Sequence, residues 1–137
     1  MRLGELAGIS KENIVLNTEI PYFNLVHQDN RLLKNDASIR EVPIHSACLP
    51  FVDKLRQSKS REPGRGWSNR FNRNLELPKG EGAHTLRHSF TTRMRQVHCN
   101  SYVLDRLTGH KTKSETADYG EYSLKVLSHE IEKLPHH

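Results

Sequence analysis

Apolar positions recur at steps of three and four through the second half of the chain, and β-branched and aromatic residues gather in short runs in the first half. From His84 to Val97, Leu86, Phe90, Met94 and Val97 form one stripe, and His84, Arg87, His88, Thr91 and Arg95 form the opposite one. That spacing predicts a helix with one side in the core and the other turned toward an anion. A second helix is predicted over Ser101–Thr108, burying Val103, Leu104 and Leu107, with Gly109 as its C-cap. A third covers about Leu124–Leu134, with Leu124, Leu127, Ile131 and Leu134 on one face and Pro135 as its stop. This face can dock on its own domain or on a neighbour. Nearer the start, Leu3, Leu6 and Ala7 mark a short helix that breaks at Gly8. Another runs from about Ser46 to Arg56 and sets Cys48, Val52 and Leu55 toward the core.

Three segments read as strands: Ile14–Leu16, Pro21–Val26 and Ile39–Ile44. Turn-forming residues, Gln28-Asp29-Asn30 and Lys34-Asn35-Asp36, separate the last two. The expectation is a small antiparallel sheet with Lys34 in or beside a hairpin tip. The polar, basic segment from Gln57 to Gly66 reads as an exposed loop, and Trp67–Leu75 as a further short helix. No internal repeat or low-complexity tract interrupts this plan.

Composition narrows the class. The 137 residues suit one domain, and with 34% hydrophobic and 27% charged residues the core must be thin. No stretch approaches the roughly 18 apolar residues of a membrane span, and no signal peptide is visible. The net charge of +5 favours a polyanionic partner, because Lys and Arg release counterions from DNA phosphates. Cys48 and Cys99 stand far apart and outside any CxxC spacing, which points to reduced, intracellular thiols and away from zinc. Cys99 beside His98 reads as a helix end, and His88 as a core histidine. No other ligand spacing appears among the nine histidines, and His136 and His137 read as a tail.

Six dispersed residues then suggest chemistry: Arg2, Lys34, His84, Arg87, His110 and Tyr119. Five carry basic or imidazole side chains and one is a phenol, the set needed to attack a phosphodiester without a metal. A planar guanidinium fits two phosphate oxygens in a way that lysine cannot copy. A histidine moves protons near neutral pH. A phenol, with its ordinary pKa of about 10, attacks only when a base and cations are close. The words around these residues are Arg2-Leu3-Gly4-Glu5, Lys34-Asn35-Asp36-Ala37-Ser38-Ile39-Arg40-Glu41-Val42-Pro43, His84-Thr85-Leu86-Arg87-His88, Leu107-Thr108-Gly109-His110 and Tyr119-Gly120. In order and spacing they resemble the tyrosine recombinase (phage integrase) catalytic domain, from residue 2 to about 134.

The resemblance implies an α+β, mostly helical domain with a small three-stranded antiparallel sheet at one edge. It implies site-specific DNA recombination through a 3′-phosphotyrosine, with no metal or other cofactor. Arg2 and Arg87 would clamp the phosphate, and Lys34 would protonate the leaving 5′ oxygen. His84 would be the base or proton shuttle, His110 a further donor, and Tyr119 the nucleophile, with Tyr122 as its competitor. Arg2, Lys34, Arg87, His88, Arg95 and Lys111 would meet DNA. The implied partners are double-stranded DNA and other protomers in a tetrameric synapse, and the implied location is the cytoplasm of a prokaryote, beside the nucleoid. Family members carry helices ahead of the first box and a separate N-terminal core-binding domain. Residues 1–137 are therefore expected to be a C-terminal catalytic domain truncated at its N-terminal side, with Arg2 on a fraying end. Two other readings stay open: a non-catalytic DNA-binding remnant, and DNA relaxation of the type IB topoisomerase kind.

Overall fold

A computed structural model describes residues 1–28, 33, 38–57, 69, 72–74, 77–78, 81–110 and 122–136. Lys34, Lys111 and Tyr119, the hairpin tip and the basic loop after residue 57 lie outside the described residues. Of the helix expected over Trp67–Leu75, residues 69 and 72–74 are described and are helical.

The architecture is α+β. Three short strands, β1 (Ile14–Val15), β2 (Tyr22–Leu25) and β3 (Arg40–Pro43), form one antiparallel sheet in the order β1-β2-β3. Ile14 pairs with Phe23, Phe23 with Val42, and Leu25 with Arg40. Alternation along β3 sends Arg40 and Val42 inward and Glu41 outward. The helices are α1 (Leu3–Ala7), α2 (Leu49–Gln57), α3 (Ala83–Gln96), α4 (Ser101–Thr108) and α5 (Leu124–Ile131). Single 3-10 turns lie at Lys11–Asn13 and Ser46–Cys48. The first of these was not legible in the apolar pattern. It is held by Asn13, whose buried amide accepts from the Ser10 N–H and donates to the Asn24 carbonyl at 3.1 Å.

Two apolar clusters divide the core. Ile9, Ile14, Phe23, Leu25, Val42, Ile44 and Val52 pack around the sheet. Met94, Val103, Leu104, Leu107 and Leu127 pack between the C-terminal helices. The expected burial of Val103, Leu104 and Leu107 on α4 is what the structure shows. The apolar face of α5 docks on its own chain, against β3 and α4, with Leu127 and Ile131 buried.

Three expectations about burial need correction. Cys48 is exposed, because the chain enters α2 through a 3-10 turn that rotates it away from Val52. Leu86 is 44% exposed, while Met94 on the same helix is fully buried. The inward face of α3 is centred on Met94 and shared by Phe90, Arg87 and Thr91, so two polar residues flank the core and the first leucine does not. His88 is exposed rather than a core histidine; its ring meets that of His84 edge-on, 4.4 Å between centroids.

Leu25 is fully buried at the centre of the sheet. Leu25→Ala is expected to cost about 2–5 kcal/mol, read as a lower urea midpoint with an unchanged m-value.

Candidate active site

The site is built on the last turn of α4. A helix ends with carbonyls that have no partner within the helix, and they form the negative end of its dipole. Here Gly109 closes the helix with φ 68 and turns the chain so that these carbonyls face inward. Three guanidiniums occupy three consecutive carbonyls. Arg40 Nε donates to Leu107 O at 3.2 Å, Arg87 Nη2 to Thr108 O at 2.5 Å, and Arg2 Nη2 to Gly109 O at 2.9 Å. Three residues far apart in sequence, on α1, β3 and α3, thereby converge on one turn.

Among the described residues, one carboxylate, Glu5, stands between these cations. Arg40 grips it with two hydrogen bonds, Nη1 to Oε1 at 3.1 Å and Nη2 to Oε2 at 3.0 Å. Arg2 adds Nη1 to Oε1 at 3.0 Å and its backbone N–H to Oε2 at 2.6 Å. Arg2 Nη1 also donates to Ser38 Oγ at 2.8 Å. Arg2 is thus bonded through both its guanidinium and its backbone N–H. Burial by itself would raise the Glu5 carboxyl, but the hydrogen bonds and charge of Arg40, with the N–H of Arg2, hold it below its ordinary value.

Arg87 differs from its neighbours. It forms no ion pair among the described residues, and its buried Nη1 has no hydrogen-bond partner there. Burial, and next the positive charge of Arg2, push its guanidinium down from its ordinary value. Its Nη2 also lies 3.0 Å from His110 Nε2. A buried donor without an acceptor costs about 1–3 kcal/mol, and more when charged. An anion on Arg87 would supply the missing acceptor and relieve the repulsion from Arg2.

Arg2, Arg87 and His110 are thus together. His84 lies one turn before Arg87 on α3, but it is exposed and its described ring contact is with His88. Arg95 is exposed near the end of the same helix. Tyr122 is 39% exposed and lines a cavity of about 470 Å³ with Asn24, Arg40, Glu41 and Arg106. Neither Arg87 nor His110 lines that cavity. Sequence reasoning assigned no role to Arg40, Ser38, Thr108 or Asp105. For Arg40 the signal was present: an arginine on the inward parity of a strand, in step with Val42 and Ile44.

The described residues offer one cluster of possible metal ligands, His45, Glu132 and His136, with donor atoms within 4.8 Å of one another. His45 Nδ1 accepts the Ala47 N–H at 3.1 Å, so the neutral ring carries its proton on Nε2, 3.0 Å from Leu134 O. A metal-bound histidine shows its other nitrogen to an acceptor; here that nitrogen faces a donor. The cluster serves instead as a clasp that ties the turn after α5 to the end of the sheet.

The chain is 24% identical to the integrase of Haemophilus phage HP1 (strain HP1c1) over 127 residues, which are 92% of this chain and 36% of that protein. The chain therefore spans about a third of the length of this curated relative. The similarity marks an integrase-like relationship. No protein-family profile matches the chain. No solved structure matches it. No helix among the described residues is long and apolar enough to cross a membrane.

Two outcomes are expected. Gly109→Ala places a Cβ 2.6 Å from Arg40 Nη1 as well as straining a left-handed backbone. Its cost in denaturant unfolding should exceed the roughly 1–2 kcal/mol of the backbone conformation alone. Glu5→Gln, which leaves Arg40 buried without a counter-charge, should cost about 3–5 kcal/mol. Since the folded Glu5 value lies below the ordinary 4.5, its contribution is complete above that pH and is lost as pH falls through the folded value. The native chain should therefore lose stability steeply in acid below pH 4.5, and the Glu5→Gln chain should have a flatter profile there.

Proposed function

We propose that this chain is the catalytic domain of a tyrosine-type site-specific DNA recombinase, acting on double-stranded DNA. The observation that carries this reading is the convergence of Arg2, Arg87 and His110 on one turn, with the Arg87 Nη1 buried and unpartnered. The similarity to a phage integrase along nearly the whole chain supports it independently.

In this reading a scissile phosphate sits against Arg87, Arg2 and His110. Arg87 takes the non-bridging oxygens through its Nη1–Nη2 fork. Arg2 keeps one Nη2 hydrogen and its Nε hydrogen without a bond among the described residues, which leaves them for the developing charge. Fixed donors in a water-poor site stabilise a growing oxyanion more than mobile ones in solvent. The Tyr119 oxygen attacks phosphorus, forming the phosphotyrosyl bond as the bond to the 5′ oxygen breaks. The phenolic proton passes to His84 or to solvent, and Lys34 gives a proton to the departing 5′ oxygen. Attack by a 5′ hydroxyl from a partner strand reverses these steps, so no ATP is consumed. The basic side chains of His88, Arg95 and Lys111 lie along the DNA backbone and add sequence-independent affinity. Protomers pair on DNA, and two duplexes meet in a tetramer.

Incubation with a nicked suicide duplex, followed by a denaturing gel, tests the assignment. The native chain should give a covalent protein–DNA band, and Tyr119→Phe should remove it while DNA binding persists. Arg87→Ala should slow adduct formation about 100- to 1000-fold, the usual loss for one donor to a transition-state oxyanion. A DNA-binding chain that gives no covalent band would be a non-catalytic remnant. A band that survives Tyr119→Phe but not Tyr122→Phe would move the nucleophile.

A further inference from the structure

His110 hangs just beyond the Gly109 turn, and both its backbone and its ring return to Asp105. The His110 N–H donates to Asp105 O at 3.0 Å, and His110 Nδ1 lies 3.6 Å from Asp105 Oδ1. Nδ1 also lies 3.4 Å from Thr108 Oγ. That hydroxyl directs its hydrogen to Leu104 O at 2.7 Å, which leaves its lone pairs toward the ring. On the other side, Nε2 stands 3.0 Å from Arg87 Nη2. A guanidinium has no acceptor atom, so Nε2 must accept and the neutral ring must carry its proton on Nδ1, facing Thr108 and Asp105.

We propose that Asp105 is a positioning residue for His110, which makes this imidazole take up a proton and become a hydrogen-bond donor when a tetrahedral oxyanion binds Arg87. It rests on the reading of Arg87 and His110 as an anion site, but not on cleavage of DNA. While no anion is bound, Arg87 Nη2 saturates Nε2. An oxyanion draws the Arg87 hydrogens toward itself and releases the Nε2 lone pair. One solvent proton then adds to Nε2, and the new N–H points at the anion. The charged groups around His110 decide whether this is favourable. Arg87 from α3 faces Nε2, Arg2 from α1 lies next to it on Gly109 O, and both oppose a second cation. Asp105 from α4 is the anionic group described against the ring, so it is what permits the imidazolium. A carboxylate holding the far nitrogen of a histidine fixes its tautomer and stabilises its cation in the same way at other catalytic sites.

The test uses inorganic sulfate, which does not titrate near neutral pH, with the full chain. Calorimetry in buffers of differing ionisation enthalpy should show proton uptake coupled to sulfate binding at neutral pH. Nitrogen-15 spectra, with the His110 signals identified by their loss in His110→Gln, should show the Nδ1–H tautomer without sulfate and both nitrogens protonated with it. Asp105→Ala, at a partly exposed position, should keep the native circular dichroism, weaken sulfate binding severalfold and abolish the linked proton uptake. Asp105→Glu should restore both in part. The proposal is overturned if the native chain takes up no proton with sulfate, if His110 is an Nε2–H tautomer in the free chain, or if Asp105→Ala leaves affinity and proton uptake unchanged. Sulfate-linked uptake that depends on Asp105 in a chain without covalent DNA adducts would sustain this inference while removing the recombinase reading. Adducts that are indifferent to Asp105 at every pH would do the reverse.

Discussion

Three arginines rest on three successive carbonyls at the end of one eight-residue helix, and the rest of the structure is arranged around that fact. Orphan carbonyls at a helix end usually turn to water or to a glycine-closed cap. Here the cap is present, and side chains from α1, β3 and α3 take the carbonyls as well. The arrangement needs Gly109 twice over. Its backbone is left-handed, and any Cβ there would press on the Arg40 guanidinium. A short turn thus acts as the hub that joins the sheet to the helical half of the domain.

Clustering three cations is unfavourable unless something offsets their repulsion. Glu5 offsets part of it, and its position explains why Arg40 is locked into the scaffold while Arg87 is not paired with it. Arg40 is fully buried and paired through two hydrogen bonds, so its charge is spent on holding β3, α1 and α4 together. Arg2 divides itself between Glu5, Ser38 and Gly109. Arg87 receives no carboxylate and keeps a buried donor without an acceptor among the described residues. Among the described residues, the same ionic lattice therefore stabilises the fold and leaves Arg87 as a positive charge without a carboxylate. His110 lies beside Arg87, with its Nδ1 3.6 Å from Asp105 Oδ1 and 3.4 Å from Thr108 Oγ.

Much of this was legible before folding. The periodic apolar residues on α4 and α5, the three strands and the left-handed glycine follow from local rules, since each depends on spacing or backbone sterics within a few residues. The helix of His84–Val97 was also legible, but its inward face was not. Periodicity put Leu86 in the core, whereas the structure centres the buried face on Met94 and draws Arg87 and Thr91 to its edge. The reason is that Arg87 is pulled toward the Thr108 carbonyl, a tertiary partner that no local window contains. Cys48 and His88 were also expected in the core, and both are exposed.

The amino-acid sequence alone determined the α+β class of the fold and the position of most elements among the described residues. Local propensity, apolar spacing and side-chain chemistry carry that information. Only the tertiary structure decided which arginines share the buried carboxylate and which one, among the described residues, does not. That choice depends on where a single buried carboxylate comes to rest, and Glu5 reaches Arg40 across 35 positions of chain. Long-range geometry of this kind leaves no periodic trace along the sequence.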